Sequence, residues 1–423
     1  LPPLTYLDNN ATTPPAPEVI DAMARALRET WGNPSSTHRF GQLARRAIDE
    51  SRAKLAQLLG TSEGELLFTG GGTEASNAAI RSLFASRAPR KRILTSTVEH
   101  SATRECVGLL SRDSGAEVVE IPVDSLGRLD VDRAIASIDD SVACATFILA
   151  NNETGVVWEL ARVIEACRAR RVPIHIDATQ AVGKLPVNLT TLGADMATVA
   201  PHKFHGPKGV GVLYVRKGVR LRPLVVGGPQ ERDRRGGTEN VAGIVGAGVA
   251  AELAREFLSP SPGTPGEGRD EGQSQSLSGK ALTPGGGLAS ASLSPGTGRG
   301  GQTIASLRDR LEHGILSRID QTRVNGDIAS RLPNTTNIGF ARLEAEAILI
   351  ALSEKGVCGS AGAACSSGSL EPSHVLRAMA VEEIYAHGSI RFSLSRYTTE
   401  ADVDRCLDVL PGVIERLRKV LPV

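Results

Sequence analysis

Through its first 215 residues the chain alternates short β-branched apolar runs with helix-length segments whose apolar positions recur every three to four residues. Runs at 65–69, 92–96, 116–121, 144–150, 174–177, 196–200 and 211–215 read as strands, and segments such as 73–86, 101–111 and 160–171 read as helices. Strand–helix alternation predicts a mostly parallel sheet with helices on both faces. Ahead of it, 38–59 sets Phe40, Leu43, Ala47, Ile48, Leu55, Leu58 and Leu59 near one face of a helix. That stripe is read as core, without a chemical role.

The pattern stops at 259–302. Of these 44 residues 25 are Gly, Ser or Pro and none is aromatic, so the stretch buries too little apolar surface to offset its ordering entropy. It reads as a disordered insertion between helices at 241–257 and 303–319, tolerated because closure entropy grows only logarithmically with length. Beyond it come an extended run at 335–340, a helix at 344–355, a helix near 373–379, a strand at 389–394 and a last helix at 400–420. The expected organisation is an N-terminal segment (1–15) joining a smaller α+β domain, a large domain (16–258), the insertion (259–302) and the small C-terminal domain (303–423).

Composition narrows the function classes. Lysine plus arginine (48) nearly equals aspartate plus glutamate (47) and aromatics make up 3%, which argues against a nucleic-acid partner. No run approaches the roughly 18 apolar residues of a membrane span, and Leu1-Pro2-Pro3-Leu4 lacks the charged and apolar regions of a signal peptide. Six cysteines (Cys106, Cys144, Cys167, Cys358, Cys365, Cys406) form no CxxC pair, as expected of free thiols in a reducing compartment. A cytoplasmic enzyme with neither a membrane partner nor a metal site is the expectation.

The chemistry concentrates at strand ends. Asp177 closes one predicted strand in His175-Ile176-Asp177-Ala178-Thr179-Gln180, and Lys203 follows the next in Ala200-Pro201-His202-Lys203. Pyridoxal phosphate (PLP) chemistry requires this pair: the lysine amine forms a Schiff base with the cofactor aldehyde, and the carboxylate pairs with the protonated pyridine nitrogen. Phe68-Thr69-Gly70-Gly71-Gly72-Thr73-Glu74 is a strand, a glycine turn and a helix start, whose amides and Thr73 hydroxyl suit a phosphate. Val98-Glu99-His100-Ser101 and Asn151-Asn152-Glu153-Thr154-Gly155 follow two further strands. Alone, each of these is an ordinary turn or a structural histidine; specificity comes from their conjunction.

With that conjunction the chain resembles the class V, aminotransferase-like PLP enzymes of fold type I, and more closely the NifS/IscS-type cysteine desulfurases. The likeness runs from Tyr6-Leu7-Asp8-Asn9-Asn10-Ala11-Thr12-Thr13 to about Glu400. It is strongest at Asp177-Ala178-Thr179-Gln180, His202-Lys203, Arg235-Gly236-Gly237-Thr238-Glu239-Asn240 and 364–377 around Cys365. It implies an α/β large domain, a homodimer, and conversion of L-cysteine to alanine with sulfur carried as a persulfide to an acceptor such as an iron–sulfur scaffold.

The resemblance assigns Lys203 as the Schiff-base and proton-transfer lysine, His100 as the ring-stacking acid–base residue and Cys365 as the nucleophile and a transient iron–sulfur ligand. Asp177 meets the ring nitrogen, and Gln180 and Asn152 the phenolic-oxygen side. Gly72, Thr73 and His202 hold the phosphate, with Thr238 reaching in from a partner subunit, while Arg391 clamps the substrate carboxylate with Asn152 nearby. Two positions depart from the family pattern: Ala200 stands where a serine precedes the lysine by three residues, and Gly70 replaces a serine in the glycine turn. Looser cofactor retention is expected, since a neutral hydrogen bond contributes only about 0.5–1.5 kcal/mol. The alternatives are selenocysteine lyase or an aminotransferase on the same fold, or a non-catalytic sulfur-carrier partner. The remaining cysteines are expected to be small buried hydrophobes, except Cys358 at the start of the loop.

Overall fold

A computed structural model of the chain describes residues 4–259, 299–361 and 371–420. Its strands are β1 (Thr5–Tyr6), β2 (Leu66–Thr69), β3 (Arg92–Ser96), β4 (Glu117–Ile121), β5 (Val142–Ile148), β6 (Ile174–Asp177), β7 (Met196–Val199) and β8 (Gly211–Val215), followed by β9 (Thr322–Val324), β10 (Thr335–Phe340), β11 (Val357–Cys358) and β12 (Ser389–Ser393). Seven of them form one sheet in the order β2-β8-β7-β6-β5-β3-β4. All neighbours run parallel except β8, which is antiparallel to both β2 and β7.

The central strands are apolar on both faces because helices cover both. Alternate residues divide between two cores. Ile93, Cys144, Met196 and Leu213 pack with Ala75, Ala79 and Leu83 of helix α3. Leu94, Phe147, Ile176 and Val212 pack with Ile48 and Leu55 on the opposite side. This explains why the central strands read as continuous apolar runs rather than alternating ones.

Helices α1 (Pro17–Glu29), α2 (Arg39–Leu59), α3 (Gly72–Ser86) and α4 (Ser101–Ser114) precede the later helices Val241–Leu258, Arg299–Arg318, Ala345–Glu354 and Glu400–Val420. A third core gathers Leu7, Leu311, Phe340, Ile348, Phe392 and Leu410 around the antiparallel sheet β12-β10-β9. β1 pairs in parallel with β11, so the start of the chain is built into this C-terminal unit.

Two expectations are corrected, and one helix is added. The helix expected at 303 begins at Arg299, so the last residues of the 259–302 stretch are helical; 260–298 lies outside the described residues. Phe40 is 48% exposed rather than core, because it stands in the first turn of α2, where it stacks on Trp31. Helix α1 has no counterpart in the sequence reading. Cys106, Cys144, Cys167 and Cys406 are buried, and burial raises each thiol above its ordinary range. No helix among the described residues is long and apolar enough to cross a membrane.

Candidate active site

The order β4-β3-β5 reverses the direction of winding between β3 and β5, and in open α/β sheets ligands gather at such a switch, beyond the carboxyl ends of the strands. A cavity of about 210 Å³ lies there, lined by Gly72, Thr73, His100, Asn152, Asp177, Gln180, His202 and Lys203. Eight residues singled out in the sequence therefore share one wall. Of the rest, Arg391 reaches the cavity through Asn152, whereas Thr238 lines a separate space with Gly70, Glu231 and Arg235. Cys365 lies outside the described residues.

Each side chain is placed by its element. Lys203 ends the short 3-10 turn Pro201–Lys203 directly after β7. Its Nζ donates to the backbone oxygens of Asn10 at 2.8 Å and Ala11 at 2.7 Å. Asp177 ends β6, and its carboxylate accepts from the Thr179 amide at 3.0 Å. Behind it, His175 bridges the Thr146 and Thr198 hydroxyls at 2.9 Å each, with burial pushing its imidazole down to about 4.

His100 caps α4, its Nδ1 accepting from the Ala102 amide at 3.1 Å; burial lowers its pKa, so it presents a neutral ring. His202 Nδ1 meets the Thr12 hydroxyl at 3.1 Å, and burial holds this ring near 4. Glu99, between the strand and His100, is fully buried and pushed up to about 8, with Oε1 accepting from Ser96 Oγ and the Ile148 amide.

At the other end, Gly71 caps α3 and leaves first-turn amides with no intrahelical acceptor. The two departures from the family pattern sit in distinct surroundings. The Gly70 amide donates to Glu74 Oε2 at 2.7 Å, and a Cβ built on Gly70 would stand 2.8 Å from that oxygen. Ala200 lines the cavity, and its Cβ would lie 3.3 Å from one placed on Gly72.

Arg391, on β12, is 1% exposed. Its fork donates to Asp8 at 2.5 Å and to the Asn152 backbone oxygen at 3.0 Å, while Nε meets no acceptor among the described residues. Burial raises the Asp8 carboxyl even against the pull of Arg391.

Sequence reasoning assigned no role to Asp8, Asn10 or Lys184. Asn10 is buried and ties both lysines, Gln180, Asn152 and Thr335 together. The one signal in the sequence was the lysine four residues after Gln180 within an apolar run.

An amine, a carboxylate and a helix N-terminus at one switch point define a family, and the whole chain agrees. The chain belongs to the aminotransferase class-V family, whose model matches residues 5–258 and 301–406 and whose members use PLP. Within it the chain is 46% identical over 417 residues to a cysteine desulfurase of Nostoc sp., covering 99% of this chain and 94% of that protein. It is 41% identical over 418 residues to the cysteine desulfurase NifS of Azotobacter vinelandii, again covering 99% and 94%. Among solved structures, a NifS-like protein superposes with a TM-score of 0.83 at 33% identity, over 98% of this chain and all of that one.

Proposed function

We propose that this chain is a PLP-dependent cysteine desulfurase, converting L-cysteine to L-alanine and taking the sulfur onto Cys365 as a persulfide. The observation that carries the reading is the convergence of the Lys203 amine, the Asp177 carboxylate, the neutral His100 ring and the α3 N-terminus on one cavity. That donor set suits the cofactor. An amine matches an aldehyde, a carboxylate matches a pyridinium, and first-turn amides with Thr73 and His202 match a phosphate.

Bound there, PLP supplies an electron sink that stabilises negative charge at the substrate Cα. The chain's own residues do the rest. Arg391 receives the substrate carboxylate through its planar fork, and Lys203 takes the Cα proton. His100, kept neutral by burial, would pack against the bound ring and serve acid–base steps. Gln180 and Asn152, which line the same cavity, would meet the phenolic-oxygen side of the bound cofactor. The Cys365 thiolate accepts the sulfur as the Cβ–S bond breaks, and the electron pair and a proton go to Cβ, so cysteine and a thiol become alanine and a persulfide. The persulfide sulfur then passes to an acceptor such as an iron–sulfur scaffold.

The same reading includes a homodimer, in which Thr238 serves the partner's phosphate site. Exposed Ile20 and Leu27 on α1, with the stacked Trp31 and Phe40, support a protein partner there. The five described cysteines are free, in keeping with a reducing cytoplasm. The domain division at 16–258 and 303–423, with 1–15 joining the latter, is part of this proposal.

Purified Lys203→Ala and Cys365→Ala proteins test it. The first is expected to lose alanine formation and the visible absorbance of the tethered cofactor; the second keeps the colour and loses persulfide. Wild-type persulfide yield in Cys365→Ala would overturn the sulfur-acceptor assignment.

A further inference from the structure

Two lysines converge on one residue. Lys203 Nζ binds the backbone oxygen of Asn10 at 2.8 Å, and Lys184 Nζ binds the side-chain oxygen of the same residue at 2.7 Å. Lys184 also donates to Gln180 Oε1 at 2.5 Å, and Gln180 returns a hydrogen bond to the Asn10 backbone oxygen at 3.0 Å. The Asn10 amide is pinned in turn, its Nδ2 donating to the Asn152 oxygen at 3.1 Å and to Thr335 Oγ1 at 2.9 Å. Asn10 is 1% exposed and Lys184 8%.

The acceptors of Lys184 are both neutral amide oxygens. The charged or titratable groups facing it are Lys203, Arg391, Arg396, His202 and His205, with Asp8 already engaged by Arg391. An ammonium at this point would be desolvated without an anion of its own, and burial, followed by the neighbouring Lys203 and Arg391 cations, holds the Lys184 amine well below the usual lysine range. An uncharged amine has two N–H bonds, enough for the two acceptors.

We infer that Lys184 is an uncharged positioning residue: its N–H groups lock Asn10 and Gln180, and Asn10 holds the Lys203 amine without a second cation beside it. The inference rests on Lys203 being the cofactor lysine.

The titration of Lys203 can be read in the full, cofactor-free chain by competitive acetylation with acetic anhydride across pH, quantified on the Lys203 peptide by mass spectrometry. Lys184→Met removes the donors without changing charge and is expected to leave the Lys203 midpoint unmoved. Lys184→Arg installs a permanent cation and is expected to lower the midpoint by about one unit. An upward shift in the Met variant with none in the Arg variant would mean that Lys184 is charged, and no shift in either would mean that a cation there is not felt; both results overturn the inference. In the loaded enzyme the Met variant should lose kcat by about tenfold or more, with the acid limb of the pH profile in place; undiminished kcat removes the positioning role.

Should Lys184→Met fail to fold, nitrogen NMR of 15N-lysine-labelled wild type decides. The signal lost in Lys184→Arg must lie in the neutral-amine range at neutral pH, and an ammonium shift overturns the inference. Borohydride reduction of the PLP-loaded wild type separates the two claims. A label on Lys203 with a reversed titration pattern defeats only the role of Lys184, whereas a label on another lysine defeats the underlying reading.

Discussion

Gly211, at the head of β8, lies so close to Gly71 that a Cβ on Gly211 would stand 2.3 Å from the Gly71 carbonyl carbon. The antiparallel strand therefore fits against the glycine turn only because it begins without a side chain. Gly211→Ala is expected to displace that turn and weaken PLP binding by about tenfold, or ~1.4 kcal/mol, measured by titrating the cofactor-free protein. Unchanged affinity would show that the turn does not hold the phosphate.

Arg391 divides its fork between Asp8 and Asn152 and keeps Nε in reserve. Lysine cannot reproduce that geometry, having a single point of charge. Arg391→Lys should raise KM for L-cysteine by at least about tenfold and lower kcat less, as steady-state alanine formation would show. An equal loss in kcat with unaltered KM would remove Arg391 from carboxylate binding.

Glu153 is buried and accepts from Ser373 Oγ at 2.5 Å, and burial pushes its carboxyl up to about 7 from an ordinary 4.5. The native chain thus holds this proton more tightly than the unfolded chain. The stabilisation is complete below pH 4.5 and is lost as pH rises through 7. Glu153→Gln keeps an acceptor for Ser373 and removes the titration. Melting curves should place the variant near wild type at acidic pH and above it at pH 8, by roughly 3 kcal/mol. A difference that does not change with pH would contradict a protonated Glu153.

Joining the helix that ends at Leu258 to the one that begins at Arg299 through a short turn should preserve fold, cofactor content and desulfuration. The family model matches 5–258 and 301–406 and passes over this stretch. Size-exclusion chromatography beside the activity assay is the check, and a folded, colourless monomer would give the segment a role in assembly.

The central strands were legible because parallel strands buried on both faces leave runs such as Ile174–Asp177, whose bounds in sequence and structure coincide. The cavity residues were legible because each follows one of those strands. Helix α1 was not, since it follows Thr13-Pro14-Pro15-Ala16, buries only Val19 and Ala26, and leaves Ile20 and Leu27 exposed. Two-residue pairings such as β1 with β11 carry no periodicity at all. Asn10 and Lys184 look like common surface residues in one dimension; only tertiary packing buries them together. Asp8 remained hidden for the same reason, its partner Arg391 lying on the last strand.

The opening segment also sets an order of events. Thr5 pairs with Val357, the Asn10 amide donates to Ser393 Oγ at 2.9 Å, and Asn10 anchors to Thr335, so this segment waits for partners as far as 383 residues further along the chain. Contacts this distant along the chain form late. The parallel sheet can take shape during translation, but the floor beneath Lys203 closes only after Ser393 has emerged. Cofactor capture thus becomes a report that these distant segments have met.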